Sequence, residues 1–163
     1  PIDDTALSLT AIYRALAPES PAGDVRKTIK SMKASNDIAT AVFWMLQNVE
    51  HLMNAHNKPW PLIQRLLVDP LGPRTLQLAD ALATASNLCR DGIVFCEQKL
   101  QLCHTDLNPE AFLKGADLIE LGMTPGQAFS KVLAAVRDAQ LLGEITTPED
   151  ARKMAQEIYS SYL

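Results

Sequence analysis

The chain has 163 residues, 47% hydrophobic and 21% charged, with a formal net charge of −4. That is the make-up of one soluble globular domain or two small ones. It argues against a strongly basic nucleic-acid surface, although a local basic patch stays compatible with it. No apolar run approaches the ~18 residues that span a bilayer, and the opening PIDDTALSLTAIYRAL lacks the basic n-region of a signal peptide.

Glycine is sparse, Leu and Ala are plentiful, and strand-like alternation is nearly absent. The expected fold is therefore all-α, an irregular multi-helix bundle with a helix-turn-helix-like subdomain at its C-terminal end. The start at Pro1, without an initiator Met, reads as an excised or processed chain. Three cysteines leave an odd thiol, so a reducing, cytoplasmic setting is expected.

In chain order, a first helix is expected over 5–17, with Leu7, Leu9, Ile12, Tyr13 and Leu16 as its apolar positions. A second runs from Pro21, capped by Ser20, to about 34. Asn36 is expected to cap a third over 37–54. Its apolar stripe is Ile38, Ala41, Val42, Met45, Val49 and Leu52. A short helix follows over 60–68, then helices over 73–87 and 92–104.

The remainder, 106–163, reads as a small tail behind a helical body of 1–105. Asn108-Pro109 is expected to open a short helix, with 115–121 continuing it or forming another. Gly122 stands where a helix C-terminal glycine belongs. Thr124-Pro125 reads as an N-cap with Pro at the first helical position. Gly143 ends that helix, and Thr147-Pro148 repeats the start signal for a last one, with Ala151, Met154, Ala155 and Ile158 facing the core.

Cys89, Cys96 and Cys103 are seven residues apart, or roughly 10 Å per step along a helix, too far to converge on one metal ion. They read as core thiols, and the chain offers no metal ligand set. His51 and His56 read as helix-end or surface residues. No catalytic triad, glycine-rich phosphate loop or zinc-protease motif is present. Arg26, Lys27, Lys30 and Lys33 largely share one helix face, either a solvated surface or a seat for an RNA backbone. A helix starting at Pro125 would leave free amides in its first turn, and Gly126 would let a phosphate approach them, with Lys114 and Lys131 alongside. The bland alternative is a structural corner.

The stretch FLKGADLIELGMTPGQAFSKVLAAVRDAQLLGEITTPEDA, at 112–151, resembles the C-terminal signature of bacterial tRNA nucleotidyltransferases and poly(A) polymerases. Gly115, Asp117, Leu118, Leu121, Gly122, Pro125, Gly126, Gln140, Leu141, Gly143, Thr147, Glu149 and Ala151 carry it. More loosely, IKSMKASNDIATAVFWMLQNVEHLMNA (29–55), WPLIQRLLVDP (60–70) and LQLADALATASN (76–87) are similar to helices of the same family's body. The family's catalytic head, with its Gly-Ser and Asp-x-Asp, has no counterpart here. Where some members carry a His-Asp metal pair, this chain has LTAIYRALAPES.

The resemblance implies a helical region that binds tRNA or other RNA and positions it for 3′-end nucleotide addition by a separate head. It implies no catalytic residue and no cofactor in this chain, because magnesium would belong to the head. The RNA-contacting candidates are Arg26, Lys27, Lys30, Lys33, Lys114, Thr124, Gly126 and Lys131. No membrane partner is expected, and self-association is left open. A rival reading is a stand-alone helical scaffold that binds a protein. A degenerate HD phosphohydrolase would need ligands that three histidines do not supply.

Overall fold

A computed structural model describes residues 2–16, 28–29 and 34–162. Among them the protein is all-α: nine helices have their ends there, and no strand forms. The chain divides into two units, Pro1–Cys103 and His104–Leu163, each with its own core. The expected second helix lies mostly outside the described residues.

The first unit is built around its longest helix. Ser35 has extended backbone, and its hydroxyl accepts the Ile38 amide at 3.3 Å, so α2 (Asn36–Met53) starts one residue earlier than Asn36 alone would set it. Its inward positions Ala39, Ala41, Val42, Met45, Val49 and Leu52 fall along one face of the helix and are all buried. On one side lies α1 (Ile2–Leu16), through Ala6 and Thr10. The buried Thr10 hydroxyl donates to the Ala6 carbonyl at 2.6 Å, which removes the cost of burying it, and lies 3.7 Å from Met45 Sδ. Arg14 pairs with Glu50 at the rim.

Around the other end of α2 pack α3 (Trp60–Val68), α4 (Gly72–Ala85) and α5 (Asp91–Leu100). Ile63, Leu66, Leu67, Leu78, Ala79 and Ile93 fill the space between them. At Gly92 the start of α5 meets the end of α2 backbone to backbone. A Cβ there would lie 2.2 Å from the Met53 carbonyl oxygen, so no larger residue fits without a shift. The expected helix over 92–104 is broken: α5 stops at Leu100, and a single turn, α6 (His104–Leu107), follows in the second unit.

Only one of the three cysteines is a core thiol. Cys96 is fully buried, whereas Cys89 and Cys103 are exposed. The expectation of three buried thiols is therefore corrected. Sevenfold spacing keeps one helix face only within a helix, and just Cys96 lies inside α5.

In the second unit, α7 (Gly115–Glu120), α8 (Gln127–Leu142) and α9 (Pro148–Ser160) enclose Leu118, Met123, Val132, Val136, Ala139, Ala151 and Ala155. Two left-handed glycines turn the chain. At Gly122 (φ 82°) the Met123 amide reaches the Leu118 carbonyl and the Gly122 amide that of Ile119. At Gly143 (φ 74°) Glu144 and Gly143 bond to Ala139 and Gln140 in the same way. Thr147 caps α9, accepting the Asp150 amide at 3.2 Å, with Pro148 at the first position.

No helix opens at Asn108-Pro109, contrary to expectation. The backbone there is taken by side chains of α8. Gln140 Nε2 donates to the Glu110 carbonyl at 2.7 Å, and Gln140 Oε1 accepts the Phe112 amide at 3.3 Å. Arg137 reaches the Asn108 side chain at 3.0 Å. These bonds hold the segment in an irregular path along α8 and replace those a helix would have made.

Candidate nucleic-acid interface

The joint between α7 and α8 differs from its expected form in one respect that matters. Thr124 does not cap α8. Its amide donates to the Tyr159 hydroxyl at 3.1 Å, and its own hydroxyl lies 3.0 Å from the same oxygen. With Thr124 engaged by the last helix, α8 begins at Gln127, two residues after Pro125, and Gly126 is its N-cap. The two hydrogen bonds from Thr124 also lower the Tyr159 pKa from its ordinary value.

Gly126 offers no side chain to the amides behind it, and α8 has no side-chain cap at all. The N–H groups of Gln127, Ala128 and Phe129 have no intrahelical acceptor and carry the positive end of a 16-residue helix. The backbone at Gly126 is extended (φ 168°), and a Cβ built there would meet nothing within 4 Å. Neither conformation nor packing requires glycine at this position, in contrast to Gly122.

The other candidates distribute unevenly. Lys131 lies one turn into α8, exposed, with Nζ 5.5 Å from the centroid of the Tyr162 ring. Thr124, Gly126 and Lys131 are thus brought to one end of α8. Lys114 is the N-cap of α7, where its amide is held by the Asp117 carboxylate at 2.6 Å, and its ammonium is paired with Glu110 at 2.8 Å. That hydrogen bond and charge raise the Lys114 pKa and lower that of Glu110. A phosphate would have to compete with Glu110 for it. Arg26, Lys27, Lys30 and Lys33 lie outside the described residues.

Nothing in the local sequence around Thr124 points to Tyr159 or Tyr162. The signal was a pair of tyrosines one turn apart at the end of α9, where antiparallel packing returns the chain to the start of α8. Among the described residues no group of three or more His, Cys, Asp or Glu could hold a metal ion, and no helix is long and apolar enough to cross a membrane. No protein-family model, curated protein or solved structure matches the chain.

Most residues that carry the resemblance have a structural task in this unit. Asp117 holds the Lys114 amide, Leu118 and Ala151 are buried, and Gly122 and Gly143 turn the chain. Gln140 clasps residues 110 and 112, and Thr147 caps α9. Pro125 and Gly126 are exposed, and they frame the open amides.

The charge runs against an anionic ligand. Residues 104–163 contain nine carboxylates (Asp106, Glu110, Asp117, Glu120, Asp138, Glu144, Glu149, Asp150, Glu157) against five cations (Lys114, Lys131, Arg137, Lys153, Arg152). That excess of four accounts for the whole net charge of −4.

Proposed function

We propose that this chain is an RNA-binding helical region akin to the body and tail of the tRNA nucleotidyltransferase/poly(A) polymerase family. It would hold tRNA for a head that performs the metal-dependent addition of nucleotides to the 3′ end, and catalysis is not assigned to these 163 residues. The observation that supports the reading best is Gly126: a glycine that the fold does not need, set before three uncapped amides, inside the motif that resembles the family. A Ser or Asp there would satisfy one of those amides from within. Glycine leaves them to an outside acceptor, and a backbone phosphate is the acceptor that RNA supplies.

Anisotropy of labelled tRNA against the chain at low and moderate salt tests the proposal. Binding that weakens as salt rises, as the release of counterions from neutralised phosphates requires, supports it. Absence of binding at low salt overturns it.

The second reading, a protein-binding scaffold, is favoured by the acidic excess in 104–163. It predicts the absence of tRNA binding in the same titration.

A further inference from the structure

We draw no further inference here: the strongest candidate, the open groove of about 240 Å³ along α4 and α5 lined by Pro73, Leu76, Gln77, Asp80, Glu97 and Leu100, has its Asp80 carboxylate already paired with Arg90, and nothing in the structure shows what covers it.

Discussion

The Tyr159 hydroxyl accepts the Thr124 amide at 3.1 Å and thereby ties the last helix to the joint that precedes α8. Removing that one oxygen tests how the joint is held. Tyr159→Phe keeps the ring and loses both contacts with Thr124. The expected result is a lower urea midpoint for the second unit and faster hydrogen exchange at the Thr124 amide, with helical content unchanged. An unaltered exchange rate at Thr124 would show that the bond holds nothing.

The joint's two glycines should respond in opposite ways. Gly122 sits at φ 82°, where a side chain is strained, so Gly122→Ala should cost about 1–2 kcal/mol in denaturant unfolding. Gly126 is extended with open space at its Cβ position, so Gly126→Asp should leave stability unchanged or raise it by a few tenths of a kcal/mol through capping. The Asp carboxylate would occupy the amides and repel a phosphate. On the proposed RNA-binding reading, tRNA affinity should therefore fall while the melting temperature holds.

Gly92 makes a different test. A glycine-to-alanine change in a helix ordinarily stabilises by up to about 1 kcal/mol. Here the added methyl would meet the Met53 carbonyl at 2.2 Å, a backbone atom that cannot turn aside. Overpacking of this kind costs about 1–3 kcal/mol, so Gly92→Ala should lower the melting temperature.

Replacing Gln140 by Leu keeps the side chain's bulk and strips the clasp from residues 110 and 112. A carbonyl and a partly buried amide lose their partners, at a cost of about 1–3 kcal/mol in urea unfolding. Exchange at the Phe112 amide should accelerate more than exchange in the middle of α8.

Burial, and secondarily the charge of Glu97, pushes the Cys96 thiol up to about 11, whereas Cys89 and Cys103 are exposed. A thiol reagent at neutral pH should label Cys89 and Cys103 promptly and Cys96 only on unfolding. Because the folded form holds this proton more tightly than the unfolded one, its contribution to stability is complete below about pH 9. It is lost as pH rises through about 11. Denaturant midpoints measured across that range should fall, and Cys96→Ala should flatten the fall.

Helix positions were legible because apolar spacing repeats the helical period: the six apolar residues read for α2 include five that are fully inside. The turns at Gly122 and Gly143 were legible because few residues other than glycine suit a left-handed cap. The start of α8 was not. Thr124-Pro125 has the composition of a cap, and only the return of Tyr159, 35 residues later, diverts Thr124 from that task. The irregular path at 108–112 was hidden for the same reason, since its partners Arg137 and Gln140 lie about 30 residues away. Local pattern sets the helices and their glycine-capped ends, whereas long-range side-chain hydrogen bonds set the start of α8 and the path at 108–112.

Whether the open end of α8 holds an RNA phosphate can be read in a 1H–15N titration of the chain with a tRNA acceptor minihelix, following the amides of Gln127, Ala128 and Phe129. If a backbone phosphate seats on the start of α8, these three amides shift most at low salt and cease to shift in Gly126→Asp, whose other resonances stay in place. Binding that moves amides elsewhere and leaves these three still would contradict it.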